Sequence, residues 1–342
     1  MGETKILVIF TGGTIGSVQK DNFLSPGGEN PRRLLIEQFA GEKQRAYEER
    51  FQTQILFETV CPYEILSENL GGKHLETLWR TVRKGTAGGY DGIVITTGTD
   101  SLAYSSAAMG YVFADADIPI VMVSANYPLT DKRSNGFANF EGAMALILEG
   151  NHKGVFCSYQ NTDGLYLHRA TRLLPQANYS DRVLSVADSF YARLEQGVCR
   201  TNAQSGEKDA GDAAFPFLLK CEHLTEVSVF FVRPYPGMQF WIPDSCDAVL
   251  LDTYHSGTLP VKESGFEEFM NEARARKVPV WVAGVPEGVT YETVASYQKE
   301  GTVVLPVASP AAMYMKLWLL LANRLDAKTY MPVTIGHDIL KL

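Results

Sequence analysis

The sequence predicts an α/β protein with a larger N-terminal domain, built on a doubly wound and mostly parallel sheet, and a smaller C-terminal α/β domain. Three observations carry that prediction. Uninterrupted apolar, β-branched runs such as Ile93-Val94-Ile95 read as strands buried on both faces, as parallel strands are. Those runs alternate with stretches of helical periodicity, for example Leu75, Leu78 and Val82 along one stripe of 74–84. The alternation dissolves between about 193 and 217 and then resumes, and 342 residues are long for one core. The expected layout is 1–195 for the first domain, 196–222 for a linker and 223–342 for the second.

Taken in order, residues 5–10 (KILVIF) form a first strand that ends in Thr11-Gly12-Gly13-Thr14-Ile15-Gly16. The polar, Gly- and Pro-bearing stretch 17–31 is expected to be a long mobile loop, with Phe23 its single aromatic and a helix beginning near Arg32. Residues 54–60 alternate like a strand and lead into Glu64-Ile65-Leu66-Ser67-Glu68. After the helix at 74–84, the strand at 91–96 runs into Thr97-Gly98-Thr99-Asp100-Ser101, and 102–113 reads as helix. Strands at 118–124, 154–158 and 165–167 follow, with a helix ending near Leu148 between the first two. In the second half, strands are expected at 227–232, 248–251, 278–283 and 303–305, and helices at 265–275 and 310–323. The last helix is apolar enough either to lie between domains or subunits or to be a plain core helix.

Composition narrows the function classes. Hydrophobic content of 45% with 20% charged residues describes an ordinary soluble globular chain. A formal net charge of -8 argues against nucleic acid or an anionic membrane as the main partner. The five cysteines are far apart and show no Cys-x-x-Cys or Cys/His ligand spacing, so neither a zinc site nor a disulfide framework is indicated. No signal-peptide pattern or spanning apolar run is seen, and Ile6 occupies the place where a myristoylation pattern wants Ser or Thr. The reduced cytoplasm is the expected compartment.

Two strand ends tipped with threonine and glycine can converge on one pocket, because open α/β sheets bind ligands at the carboxyl ends of their strands. The plain alternative is that Asp100 and Ser101 merely cap a helix. A threonine hydroxyl becomes a nucleophile only when a base takes its proton, and a third group orients that base. Thr14 can be such a nucleophile, Thr99 can hold a second hydroxyl or a water, and Asp100 is the natural orienting carboxylate. Backbone N–H groups around Gly13 and Gly98 can stabilise an oxyanion. A dinucleotide fingerprint fails because Thr11 takes the first glycine's place, and a P-loop fails because no Gly-Lys-Ser/Thr follows. His255 is the one histidine at a strand end, although an ordinary surface residue is the simpler reading.

These motifs together resemble the bacterial-type L-asparaginases, including the glutaminase-asparaginases, and most of all the cytoplasmic type I branch. The resemblance rests on TGGTI at 11–15, on the TGTDS segment at 97–101, and on the order and spacing of the elements. The run from Pro119 to Pro128, Pro236-Gly237-Met238 and the Lys316-Leu317 helix agree as well. It implies hydrolysis of a side-chain amide of a small amino-acid amide, without metal or organic cofactor, by a homodimer or homotetramer. It implies Thr14 as primary nucleophile, Thr99 and Asp100 as its partners, and Ser67, Glu68, Gly13 and Gly98 around the substrate. The family's lysine is expected to fall on Arg172, which can orient Asp100 but cannot serve as a base. Phe23 stands for a loop tyrosine, Thr97 for a histidine, Asn135 for an aspartate and Ala311 for a late acidic residue, while 254–258 (YHSGT) replaces an asparagine-bearing motif. An asparaginase-type hydrolase, a catalytically silent amino-acid or metabolite binder, and an amidase for another small amide are all compatible with that pattern.

Overall fold

The computed structural model describes residues 2–205 and 218–341. The chain runs β1 (Gly2–Phe10), β2 (Ser17–Lys20), β3 (Phe23–Pro26), α1 (Glu29–Phe39), α2 (Glu42–Phe51), β4 (Thr53–Val60), α3 (Gly72–Thr86), β5 (Gly92–Thr96) and α4 (Leu102–Val112). It continues with β6 (Pro119–Val123), α5 (Gly136–Leu148), β7 (Gly154–Asn161), β8 (Gly164–Arg169), β9 (Ala192–Glu195) and β10 (Val198–Thr201). The second half holds β11 (Val229–Val232), β12 (Ala248–Leu251), α6 (Phe266–Arg276), β13 (Val280–Val282), α7 (Glu292–Lys299), β14 (Val303–Val304), α8 (Pro310–Ala322) and α9 (Ala327–Tyr330).

The large sheet has the order β10-β9-β8-β7-β6-β5-β1-β4. Its members from β4 to β7 are parallel, and β8, β9 and β10 are added antiparallel at the edge. The period-2 geometry of a strand explains why these runs are apolar throughout. Leu7, Ile9, Ile93, Ile95 and Met122 point to the face covered by α3, α4 and α8. Ile6, Val8, Phe10, Val94 and Val123 point to the face covered by α1, α2 and α5.

The order of strands also locates the crevice. After β1 the chain passes through α1 and α2 to β4 on one side, then crosses through α3 to β5 on the other. The sheet therefore switches direction between β1 and β5. In open α/β sheets the carboxyl ends at such a switch are where ligands sit. The two threonine turns are the continuations of these two strands.

The small sheet is parallel, with the order β11-β12-β13-β14. One face packs on α6 and α7 through Val249, Leu251, Val280 and Val282. The other face contributes Leu250 and Trp281 to the same apolar cluster that holds Leu7, Ile95 and Met109 of the first half. Helix α8 lies in that cluster through Met313, Met315, Leu317 and Leu320, and so it separates and joins the two sheets at once. Its start follows local rules: Pro310 is at the first turn and Ser309 accepts the Ala312 N–H.

Three points differ from the expected layout. The stretch 17–31 is not structureless: β2 and β3 pair as an antiparallel hairpin, Lys20 opposite Phe23, and α1 starts at Glu29. The hairpin is anchored by Gly27 N–H donating to the Gly16 carbonyl at 2.8 Å. Phe23 sits at its tip, 76% exposed. Helices α2 and α7 were not anticipated, because their charged sequences bury only Tyr47 in α2 and Val294 and Tyr297 in α7. The large sheet also extends past residue 195, since β10 pairs with β9 over Val198–Thr201. The remainder of the stretch read as a linker lies partly outside the described residues.

Candidate active site

The two threonine turns touch. A Cβ built on Gly13 would lie 2.3 Å from Gly98 Cα and N, and one on Gly98 would lie 2.3 Å from Ser67 Cβ. A Cβ on Gly12 would lie 2.2 Å from Ile65 O, so the segments that follow β1, β4 and β5 meet where only hydrogen atoms fit. Gly13 has a second reason to be glycine, a φ of 74°. At Gly98 the reason is space, not backbone conformation. The approach is fixed by backbone hydrogen bonds. Gly13 N–H donates to Ile65 O at 2.8 Å, and Ile65 N–H donates to Thr11 O at 3.1 Å. The Thr11 hydroxyl reaches across to Thr96 O at 2.7 Å, tying the end of β1 to the end of β5.

Thr14 and Thr99 each follow one residue after that contact, and both are half-buried. Asp100 is exposed and accepts a hydrogen bond from the buried Ser67 hydroxyl at 3.0 Å. Ser101 occupies the N-cap position of α4 without a side-chain capping bond. Its hydroxyl thus does not serve the role that helix capping would assign it. Thr99 and Asp100 border a cavity of about 500 Å³ that also takes in Asn126, Tyr159, Gln176 and Asp181. On the other side of Asp100, a smaller hollow of about 260 Å³ is bordered by Ser67, Glu68, Tyr104 and Trp318. Among the described residues, the larger cavity carries two carboxylates, Asp100 and Asp181, and no lysine or arginine. Such a surface favours a ligand with a positively charged group.

The structure thus brings Thr99, Asp100, Ser67 and Glu68 to the two adjoining hollows, and the Gly13–Gly98 contact brings the turn of Thr14 against them, although Thr14 itself borders neither hollow. One assignment changes within this group. The Gly13 N–H is occupied by Ile65 O, so it is not available for an oxyanion, and Gly13 serves as the point of close approach.

Arg172 does not join them. Strand β8 is antiparallel to β7, Asn161 opposite Gly164 and Phe156 opposite Arg169, so it starts near the carboxyl ends of the parallel strands and leaves toward their amino ends. Arg172 follows at that far end, beside α4's last turn. A Cβ on Gly110 of α4 would meet Thr171 Cγ2 at 2.7 Å. Nine residues of helix separate Gly110 from Ser101, roughly 14 Å. Arg172 is fully buried there, donating through Nε to His337 O at 2.6 Å and through Nη1 to Ser205 O. It is a structural clamp on the segment around His337. Arg172→Lys is accordingly expected to lower stability in urea unfolding by about 2 kcal/mol, through lost charge-assisted hydrogen bonds. It is expected to produce no gain in ammonia release from asparagine.

Residues that the sequence did not single out supply much of the cavity. Asn126 and Asn135 exchange hydrogen bonds through each other's backbone N–H at 3.0 and 3.1 Å, and Asn135 also donates to Gln160 O. Asn135 thus positions Asn126, which faces the cavity. Gln176 donates to the Tyr159 hydroxyl at 3.2 Å. Asn126 was visible only as a strand end, and Gln176 sits in a loop without periodicity. His255 and Ala311 lie elsewhere, around a separate hollow at the carboxyl ends of the small sheet with Arg233 and Asp252. Among the described residues, no helix is long and apolar enough to cross a membrane.

A two-sheet α/β protein whose paired threonine turns meet at the switch point of its larger sheet is the class of molecule defined by this fold and site. The chain belongs to the asparaginase family: residues 5–186 match the domain described as Asparaginase, N-terminal. It is 25% identical over 195 residues to an L-asparaginase of Thermococcus kodakarensis, a match covering 56% of each chain. It is 34% identical over 295 residues to a glutamyl-tRNA(Gln) amidotransferase subunit from Haloquadratum walsbyi, covering 80% of this chain and 64% of that one. The chain thus spans between half and two thirds of these two relatives. The solved structure of the thermostable L-asparaginase from Thermococcus kodakarensis superposes with a TM-score of 0.76 at 21% identity, covering 99% of this chain and all of that one. That likeness speaks for the fold.

Proposed function

We propose that this protein is an L-asparaginase-like amidohydrolase that converts the side-chain amide of L-asparagine to L-aspartate and ammonia through threonine chemistry. The observation that supports the reading is the contact of Gly13 with Gly98, which brings together the turns that carry Thr14 and Thr99, with Asp100 accepting a hydrogen bond from Ser67 next to Thr99. In this reading the Thr14 hydroxyl oxygen attacks the amide carbon and its proton leaves with the departing ammonia. The resulting ester is then opened by water held by Thr99, which returns a proton to Thr14. Asp100, oriented by Ser67, receives the substrate ammonium group, in keeping with the carboxylates that border the cavity. Glu68 lies beside it. A cytoplasmic homodimer or homotetramer, with no cofactor, belongs to the same reading and rests on the resemblance.

Thr14→Ala tests it. Ammonia release from L-asparagine is expected to fall by at least about a hundredfold while the melting temperature stays within a few degrees of the parent's. Full activity in Thr14→Ala would rule the nucleophile out. A second reading is favoured by one observation, the lack of any lysine or arginine among the described residues that border the cavity. With no lysine there to give up its proton and act as base toward the threonine hydroxyl, the protein would bind an amino acid or another small amide without turning asparagine over. A saturable rise in melting temperature with aspartate or asparagine, and no ammonia, would identify that case. The likeness to an amidotransferase component adds a version of the first reading in which the amide is released for transfer. Ammonia release that depends on Thr14 is common to both.

A further inference from the structure

The described residues hold one group of three side chains with metal-ligating tips that lies outside the threonine site. Glu149 caps the carboxyl end of α5, His152 lies in the loop entering β7, and Cys199 is on β10. Their ligand atoms all fall within 4.8 Å of one another, and His152 and Cys199 are buried. We propose that the Glu149 carboxylate, His152 Nε2 and Cys199 Sγ bind a divalent ion of the zinc class, with water as fourth ligand.

The donor set is one that zinc accepts: one thiolate, one imidazole and one carboxylate. The tips are already aimed at one another. His152 Nε2 lies 2.9 Å from Glu149 Oε2, and the Cys199 backbone N–H donates to Glu149 Oε1 at 2.7 Å. His152 Nδ1 lies 2.8 Å from the Tyr191 hydroxyl, an outer partner of the kind that fixes the ring of a ligating histidine. The end of a helix, where carbonyl oxygens are unpaired, favours positive charge. Binding displaces one proton to solvent, that of the Cys199 thiol, while the imidazole proton facing Glu149 moves to Nδ1, where it faces the Tyr191 hydroxyl. The exchange needs no oxidant and no other reactant.

The site would clamp the β9–β10 edge hairpin and the start of β7 to the end of α5. Its distance from the cavity is about the length of α5, roughly 20 Å, so the ion is structural and takes no part in amide chemistry. The sequence conceals it because Cys199 arrives only through the hairpin.

The test uses the full chain, stripped with a chelator and titrated with cobalt(II) and then zinc(II). One equivalent of cobalt is expected to produce a near-ultraviolet thiolate-to-cobalt absorption, which zinc displaces, and zinc is expected to raise the melting temperature. Cys199→Ser and His152→Gln are expected to lose the absorption, and Tyr191→Phe to weaken zinc roughly 10–100-fold. A parent protein without the thiolate absorption overturns the proposal, whether or not the variants fold. So does zinc binding of unchanged affinity in Cys199→Ser and His152→Gln.

Discussion

Gly98→Ala is expected to abolish amide hydrolysis, lowering kcat/KM for asparagine by about a hundredfold or more. The added methyl would lie 2.3 Å from Ser67 Cβ, 2.4 Å from Ser67 Oγ and 3.1 Å from Gly13 Cα. Ser67 Oγ can rotate away, but Ser67 Cβ and Gly13 Cα cannot move without their backbones. The turns that carry Thr14 and Thr99 must therefore separate by close to an ångström, a displacement that costs about a hundredfold when reacting groups must be aligned. The same shift breaks the 3.0 Å bond between Ser67 and Asp100. Steady-state kinetics and urea unfolding on the purified variant separate this effect from general destabilisation. A Gly98→Ala/Ser67→Gly double variant removes the nearest clash and is expected to recover part of the loss. Undiminished activity in Gly98→Ala would mean that the two turns do not meet as described.

Lys316→Met is expected to destabilise the fold by about 3–5 kcal/mol, the scale for removing one partner of a buried pair. Lys316 on α8 and Asp338 are 2.8 Å apart with no exposed side-chain surface. The rest of each group is satisfied. The ammonium also donates to Met331 O at 3.2 Å and Val333 O at 2.5 Å. The carboxylate accepts from the Tyr111 hydroxyl and from the N–H groups of Ile335 and Ile339. Burial lowers the proton affinity of Lys316, and Asp338 pushes it back up. Removing the ammonium leaves a carboxylate in an apolar surround and frees the segment that Arg172 and Thr171 hold at His337 and Gly336. The urea midpoint reads the loss directly, and a change within about 0.5 kcal/mol, the range of ordinary surface substitutions, would refute it. Lys316→Met/Asp338→Asn is expected to be less damaging than the single change, because it leaves no isolated buried charge.

How much of this was legible in the sequence depends on the range of the interaction concerned. Apolar runs such as 93–95 and 120–123 announce two-sided burial whatever they pair with, and their strands appear where expected. That Thr14, Thr99, Asp100 and Ser67 lie at one edge of the sheet was legible because each follows a parallel strand, and strand ends of a parallel sheet share one edge. Arg172 was misplaced for the same reason. It too follows a strand, but β8 runs antiparallel, and the direction of a strand depends on its neighbours. The β2–β3 hairpin was hidden by polar, Gly-rich composition that suits a loop equally well. Asn126 and Gln176 give no periodic signal, since loop residues obey no period.

The sequence by itself determined the α/β class, the order of the parallel strands along the chain and the two threonine turns, because local periodicity and turn chemistry decide those. Only the tertiary structure decided that the turns meet, that β8 carries Arg172 to the opposite end of the sheet, and that α8 joins two sheets into one core. Those outcomes depend on which strands become neighbours and in which direction, and such contacts join residues far apart in the chain that no local pattern encodes.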